Sequence, residues 1–178
     1  MAGETTASAC LGFLTVVDLT PHGLMGGYLL LNLAGRPLEF HCTAPVNPSR
    51  AQQILYGPTL EPFLYGEQIG STLVRKATQP PVVLFVDQKS ALAVREHIEI
   101  PTGLVFGELI AERSNAPLHS GNITIGRRQI STTSRFSSDR EIIGARLAAL
   151  DELFDLAEPF GRIREAIAEA QRMTAKAA

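Results

Sequence analysis

Apolar residues in the first quarter of the chain fall in three short runs that are typical of β-strands. The runs cover residues 11–18, 25–33 and 38–43, and Gly23 can supply the positive φ that the turn between the first two needs. Short connections join all three runs, whereas a parallel pair would need a crossover of about a dozen residues or more. The pattern therefore predicts a three-stranded antiparallel meander.

A helical pattern follows the meander. Asn47 is placed to cap a helix that has Pro48 in its first position and ends near Gly57. A second helical stretch is expected over residues 59–77, where Pro62 is tolerated because it falls in the first turn. Its apolar stripe has a spacing of four residues and consists of Tyr65, Ile69 and Leu73. This stripe predicts which side of the stretch lies on the sheet.

The next elements predict a parallel part of the sheet. Residues 81–87 form a continuous apolar run of the kind found in strands that are buried on both faces. A short helix over residues 90–97 and a strand around residues 103–106 follow, and this spacing indicates a right-handed parallel crossover. Residues 1–110 are thus expected to form an α/β core domain with a mixed sheet, in the order β-β-β-α-β-α-β.

Two further segments follow this domain. Residues 111–137 are rich in Ser, Thr, Asn and Gly and carry a net charge of +3, which predicts a flexible linker. Residues 138–178 predict a tail of two amphipathic helices, with Ser138 or Asp139 as the cap of the first. The apolar stripes of the tail are Ile143, Leu147, Leu150 and Phe154, then Phe160, Ile163, Ile167 and Ala170. Such stripes pack on the domain, against each other or on another chain.

The overall composition argues against several classes of protein. The 178 residues are 45% hydrophobic and have a formal net charge of −2, which is too close to neutral for a basic nucleic-acid-binding protein. Only Cys10 and Cys42 are present, so a disulfide framework is excluded and a reducing, cytoplasmic setting is expected. The pattern also leads us to expect neither a signal peptide nor a membrane span.

Nucleic acid is a weaker alternative partner. The chain has neither a GxxxxGK[ST] nor a GxGxxG motif, so nucleotide binding by those routes is not expected. Arg127, Arg128 and Arg135 in the predicted linker can contact phosphate groups. They are not accompanied by a ladder of aromatic residues that would stack on bases. A solvated linker is the simpler interpretation.

The element order of residues 11–110 resembles the ribonuclease H-like superfamily fold. The local likeness lies in residues 86–88, where a buried strand ends in Asp87 before a helix, in Asp18 at the end of the first strand, and in Gly-Gly-Tyr at residues 26–28. In that family, carboxylates at strand ends hold divalent metal ions that take part in phosphodiester cleavage. The resemblance implies a ribonuclease H-like layout and, with a complete acidic set, a nuclease that uses Mg²⁺ or Mn²⁺ on DNA or RNA.

The acidic set that the resemblance requires is incomplete. Asp18 and Asp87 match two of its positions, but Gln52 stands where a glutamate would be needed. A neutral amide offers an oxygen atom but no negative charge to a hard cation. In this reading, Glu39 or Glu67 would have to complete the metal site.

Each of these acids also has a plainer interpretation. Asp18 can simply end a strand, and Asp87 can cap the helix after it. Glu39 and Glu67 are then ordinary charges that face solvent. A fourth metal ligand would have to come from the tail, which offers Asp139 and Asp151.

The helical surfaces indicate a different function. Residues 48–70 combine prolines, glycines and tyrosines beyond what a helix that only covers a sheet requires. Tyrosine and arginine are favoured anchors in protein interfaces. The candidate partner-binding residues are Arg50, Tyr56 and Tyr65 here and Leu150, Phe154 and Phe160 in the tail. The sequence therefore predicts a non-catalytic interaction or scaffolding module, which binds a protein partner or self-associates. A metal-dependent nuclease that uses Asp18, Asp87 and Glu39 or Glu67 is the alternative.

Overall fold

The computed structural model describes residues 9–108, 122–148, 150 and 154–177, and within these ranges seven strands form one mixed sheet. In chain order, the strands are β1 (Cys10–Asp18), β2 (Leu24–Asn32), β3 (Pro37–Cys42), β4 (Val83–Val86), β5 (Thr102–Glu108), β6 (Asn122–Ile125) and β7 (Arg128–Ser131). Across the sheet they lie in the order β3-β2-β1-β4-β5-β7-β6. The predicted α/β fold with a mixed sheet is confirmed.

The first three strands form the predicted antiparallel meander. β1 pairs with β2 from Cys10 opposite Asn32 to Asp18 opposite Leu24, and β2 pairs with β3. On the other side, β1, β4 and β5 are parallel to one another. β1 is therefore an interior strand and is buried on both faces along most of its length, which explains its nearly continuous apolar sequence.

The helical segment between β3 and β4 covers one face of the sheet through its later part. It begins with α1 (Arg50–Tyr56), which leads into a 3₁₀ turn (Gly57–Thr59), α2 (Leu60–Pro62), a π-helix (Phe63–Ser71) and α3 (Thr72–Lys76). We call residues 57–76 the central helical stretch. Ile69 and Leu73 in this stretch are buried, as the stripe predicts. A 3₁₀ helix (Lys89–Glu96) packs beside it.

The start of α1 differs from the expectation. Ser49 is the N-cap: its hydroxyl accepts a hydrogen bond from Gln52 N at 3.1 Å, and the Gln52 side chain accepts one from Ser49 N at 2.9 Å. This capping box satisfies two backbone N–H groups at the helix start. Asn47 instead donates from Nδ2 to His22 O at 3.1 Å. Gln52, the residue in the expected position of a metal-binding glutamate, therefore serves as a cap.

The tail covers the opposite face of the sheet through α4 (Ser138–Leu147) and α5 (Glu158–Ala177). Of the three alternatives for the apolar stripes of the tail, the structure therefore shows packing on the domain. A Cβ atom on Gly27 of β2 would lie 2.3 Å from Ile163 Cγ2 of α5, and one on Gly26 would lie 2.1 Å from Ile69 Cγ2 on the other face. These two consecutive glycines allow a helix to approach each face of β2 closely. The buried apolar residues of α5 include Phe160, Ile163 and Ile167.

Part of the predicted linker belongs to the sheet. β6 and β7 form a hairpin around Gly126, which has a φ of 56°, and β7 pairs antiparallel with β5. Ile130 on β7 is fully buried. The expectation of a flexible linker is therefore wrong for residues 122–131, and residues 111–121 lie outside the described residues. Each strand has only four residues, so its apolar alternation does not stand out among the neighbouring Ser, Thr and Arg residues.

Candidate functional site

The sheet separates the two aspartates that the resemblance to ribonuclease H brings together. Side chains of consecutive strand residues point to opposite faces, and Leu14 and Val16 of β1 pack under the central helical stretch. Asp18 shares their face and lies two residues beyond Val16. Asp87 lies on the other face, where Arg164 of α5 contacts it. In this arrangement, one metal ion would not be shared by both carboxylates.

Asp87 is paired with an arginine that the sequence analysis did not single out. Arg164 Nη2 donates to Asp87 Oδ2 and lies 3.5 Å from the hydroxyl of Thr15, a fully buried residue of β1. Asp87 Oδ1 is buried and has no hydrogen-bond partner among the described residues. The following helix has Gln88 as its N-cap, so Asp87 is not the cap that was expected. The guanidinium offsets the negative charge that would attract a cation.

Asp18 ends β1 and closes the turn that follows. Its Oδ1 accepts hydrogen bonds from Thr20 N at 2.9 Å and from the Thr20 hydroxyl at 2.6 Å. This is the plain strand-ending role considered from the sequence. The carboxylate is also close enough to Tyr65 to help raise its pKa, after burial and Glu61, which contribute more.

Glu39 and Glu67 make separate contacts of their own. The Glu39 carboxylate accepts hydrogen bonds from Thr78 N at 3.1 Å, from the Thr78 hydroxyl and from His41 Nε2 at 2.9 Å. The hydrogen bonds from the Thr78 hydroxyl and then from His41 hold the pKa of Glu39 below its usual value. Glu67 is exposed on the π-helix, 3.9 Å from His97 Nε2. Within the described ranges, no group of three or more His, Cys, Asp or Glu side chains is placed to hold a metal ion.

A buried ion pair attaches α4 to the domain. Asp139 is 1% exposed and accepts hydrogen bonds from Arg95 Nε at 2.7 Å, Arg95 Nη2 at 3.1 Å and Thr102 N at 3.1 Å. The Arg95 guanidinium also lies over the Phe136 ring, 4.0 Å from its centroid. Asp139 is therefore a structural anchor and not a spare metal ligand. Asp151 lies outside the described residues.

Gln88 extends the pairing of β1 with β4 beyond the end of β4. Its Oε1 accepts a hydrogen bond from Val16 N at 2.8 Å, and its Nε2 donates to Val16 O at 2.7 Å. The side-chain amide thus satisfies a backbone donor and a backbone acceptor past the last paired residue of β4. A glutamine two residues after a buried strand is the only sequence signal of this contact.

The three tail residues predicted to bind a partner belong to the core or to its edge. Phe160 is 2% exposed and packs edge-on against Phe13, with ring centroids 5.6 Å apart. Phe154 is half-buried, 6.4 Å from the same ring, and Leu150 is half-buried against the same cluster. Phe160 is therefore wrong as a partner-binding residue, because its side chain is not accessible. Phe154 and Leu150 present only part of their surfaces.

The first helix, in contrast, keeps its apolar side chains in solvent. No residue of α1 is buried, and Ile54 and Leu55 are 65% and 82% exposed. α1 packs mainly on the 3₁₀ turn and on α2, and Tyr56 stacks on Phe63 with ring centroids 4.4 Å apart. Arg50 is exposed at the start of the helix. Two of the predicted partner-binding residues thus lie beside two exposed aliphatic residues that the sequence analysis missed.

A pocket of about 380 Å³ opens at the base of α1. Glu61 is exposed at the pocket, and its Oε1 accepts a hydrogen bond from the Ser90 hydroxyl at 2.6 Å. Asp18, near Tyr65, adds a second carboxylate to this side. We call α1 together with this pocket the α1 corner. The pocket is lined by apolar and acidic residues that include Leu24, Pro58, Leu60, Glu61, Leu64 and Tyr65.

The sequence matches no protein-family model and no curated protein. The resemblance to the ribonuclease H-like fold therefore stays a hypothesis that rests on the element order and on the residues quoted for it. None of the helices in the described ranges has both the length and the apolarity to cross a lipid bilayer.

Proposed function

We propose that this protein is a non-catalytic interaction module that binds a protein partner through the α1 corner. One observation carries the proposal: α1 has no buried side chain, yet it exposes two adjacent aliphatic residues, Ile54 and Leu55. Full burial of an exposed aliphatic side chain of this size is worth about 1.5–3 kcal/mol. A partner that fully covers both side chains would gain this free energy for each of them.

The α1 corner differs from an ordinary surface with scattered apolar residues. Single exposed apolar side chains are common and need no functional explanation. Here Ile54 and Leu55 are consecutive, and the pocket lined by apolar and acidic residues begins two residues later in the chain, at Gly57. Arg50 and Tyr56 on the same helix are residue types that are enriched in protein interfaces. The combination supports a docking surface.

Contacts within the chain hold α1 in its helical shape. Seven residues are too few for a stable isolated helix in water. The capping box of Ser49 and Gln52 and the stacking of Tyr56 on Phe63 hold the helix at its two ends. A helix that is already ordered loses little conformational entropy on binding. This property suits a surface that docks a partner.

The placement of the carboxylates does not favour the alternative, a metal-dependent nuclease. Asp18 and Asp87 lie on opposite faces of the sheet, and Arg164 pairs with Asp87. Glu39 is bound to Thr78, away from the ion pair of Asp87. A two-carboxylate site for Mg²⁺ or Mn²⁺ needs these groups at one place.

Photocrosslinking in the cells that make the protein tests the proposal. p-Benzoylphenylalanine in place of Leu55 is expected to give a specific covalent adduct with a protein, and the adduct should disappear when Ile54→Asp is added. The matched control carries the same crosslinker in place of Met173, which is 66% exposed on α5. Equal yields at both positions, or no adduct at position 55, would overturn the proposal.

A further inference from the structure

We infer that the partner of the α1 corner is a second copy of this chain, and that the two copies form a two-fold symmetric dimer. The inference rests on the proposed function, because it concerns the same surface. A two-fold interface uses the same patch on both copies, so the patch has to complement itself. In the α1 corner, exposed aliphatic side chains are followed by a pocket, and a positive residue is followed by a negative one, so that two copies can complement each other.

The patch carries a projection and a recess side by side. Ile54 and Leu55 project from the last turn of α1, and the pocket begins at Gly57 and Pro58, directly after the helix. In a two-fold arrangement, Leu55 of each copy enters the pocket of the other copy. The two contacts are equivalent, so both form at once.

The pocket is large enough for a leucine side chain. A cavity that opens when a buried leucine is cut back to alanine measures roughly 150 Å³. The pocket at the base of α1 measures about 380 Å³. This volume exceeds the space that one leucine side chain needs, and Leu60 and Leu64 supply apolar walls.

The charges of the patch also complement each other. Arg50 is the only charged residue in the sequence of α1, and Glu61 is the only charged one among the described residues that line the pocket. The helix half of the patch is therefore positive, and the pocket half is negative, with Asp18 on the same negative side. In the two-fold arrangement, Arg50 of each copy faces Glu61 of the other.

Sedimentation velocity of the purified full chain over a dilution series measures this association. We expect a reversible monomer–dimer equilibrium with a dissociation constant between about 1 µM and 1 mM, as for a small interface. Leu55→Asp should weaken the association at least about tenfold, because it would bury an unpaired charge. Met173→Asp is the matched control and should leave it unchanged. A chain that stays monomeric throughout this range overturns the inference.

A charge-reversal pair tests the two-fold geometry. Arg50→Glu alone places acidic residues opposite each other, and Glu61→Arg alone places basic residues opposite each other, so each variant should associate more weakly than wild type. When the two variants are mixed, both contacts across the interface again join opposite charges, and the heterodimer should form. If both variants are folded by circular dichroism and their mixture associates no better than either alone, the two-fold arrangement is overturned.

The dimer and the proposed function can fail separately. A purified chain that is monomeric, but whose crosslinker at position 55 captures a different protein in cells, overturns the dimer and leaves the interaction surface in place. The absence of any adduct at position 55 overturns the proposed function. A dimer that Leu55→Asp does not weaken overturns the inference that the α1 corner forms it.

Discussion

The first and last helices of this protein relate to the sheet in opposite ways. α5 has a clear apolar stripe, and the structure buries it: Ile163 is fully buried, and Ile167 is 1% exposed. α1 is a third of its length, has no buried residue and exposes Ile54 and Leu55. The sequence predicts partner-binding residues both around the first helix and in the tail, whereas the structure buries the stripe of α5 and leaves the aliphatic residues of α1 exposed. A regular apolar stripe in the sequence of a helix therefore does not show that its residues are exposed to a partner.

The sheet explains the difference between the two helices. β1 and β2 are buried along most of their length, so both of their faces need a cover. The central helical stretch covers one face through Ile69 and Leu73, and α5 covers the other through Ile163 and Ile167. α1 precedes the central helical stretch and packs mainly on its first residues. Its aliphatic side chains therefore stay exposed.

Removal of the tail should have the largest effect. Without residues 138–178, the apolar residues of β1 and β2 on one face of the sheet, such as Phe13 and Leu29, would be exposed to water. We expect the shortened chain to be insoluble or to lose cooperative thermal unfolding. From the sequence alone, residues 1–110 would be expected to stay folded.

Circular dichroism melting and a two-dimensional amide NMR spectrum measure this effect. Leu55→Ser in the full chain is the control and should keep the wild-type spectrum, because Leu55 is 82% exposed. A well-dispersed spectrum from the shortened chain would show that α4 and α5 do not belong to the core.

Loss of the buried ion pair should be the next largest effect. Asp139→Ala leaves Arg95 without its main partner in a site where that arginine is 14% exposed, so we expect a loss of about 3–5 kcal/mol in the free energy of unfolding. Urea unfolding measures it. Glu169→Ala removes an exposed ion pair from α5 as the control and should change stability by less than about 1 kcal/mol. Equal effects of the two variants would mean that Asp139 does not anchor α4.

Truncation of one apolar side chain on each helix compares the two surfaces directly. Ile163→Ala should lower the free energy of unfolding by about 2–5 kcal/mol, because it leaves a cavity under α5. Leu55→Ala should change it by less than about 0.5 kcal/mol at a concentration where the chain is monomeric. Denaturant unfolding of both variants side by side measures the difference. A large loss for Leu55→Ala would show that α1 packs on the protein itself.

The sequence predicts structural features that depend on residues close together in the chain. It does not predict contacts between residues that are far apart in the chain. The meander followed from three apolar runs joined by short turns, and the strand at residues 83–86 followed from a continuous apolar run. Those features depend on neighbours in the chain. The stripe at Ile69 and Leu73 correctly indicated the side of the helix that faces the sheet.

The contacts that decide the roles of Asp87 and Asp139 join residues far apart in sequence. Arg95 binds Asp139 across 44 residues, and Arg164 binds Asp87 across 77. A single sequence carries no signal for such pairs, because each residue alone is typical of a solvent-facing position. The exposure of Leu55 was hidden for the same reason. It depends on which elements cover the sheet and not on the local pattern.

Loss of the Glu39 carboxylate on β3 should produce the smallest effect, and this effect should depend on pH. Hydrogen bonds from Thr78 and then from His41 lower the pKa of Glu39 in the folded state. Such a carboxylate stabilises the fold above its unfolded pKa, about 4.3, and this contribution is lost as the pH falls through the folded pKa. Glu39→Gln should therefore be less stable than wild type at neutral pH, and the difference should shrink below about pH 4.

Urea unfolding at neutral and at acidic pH measures that difference. The destabilisation by Glu39→Gln should be modest, because the side chain is partly exposed. A difference between Glu39→Gln and wild type that is the same at both pH values would mean that the contacts with Thr78 and His41 do not favour the ionised carboxylate.

Hydrogen–deuterium exchange of the full chain at low and high protein concentration tests most directly whether the α1 corner, and not the tail, is the interaction surface. We predict that backbone amides of residues 50–65 exchange more slowly as the concentration rises, because a second copy covers them. Amides of residues 158–177 should be equally protected at both concentrations. Protection that rises in residues 158–177 while residues 50–65 stay unchanged would contradict the assignment.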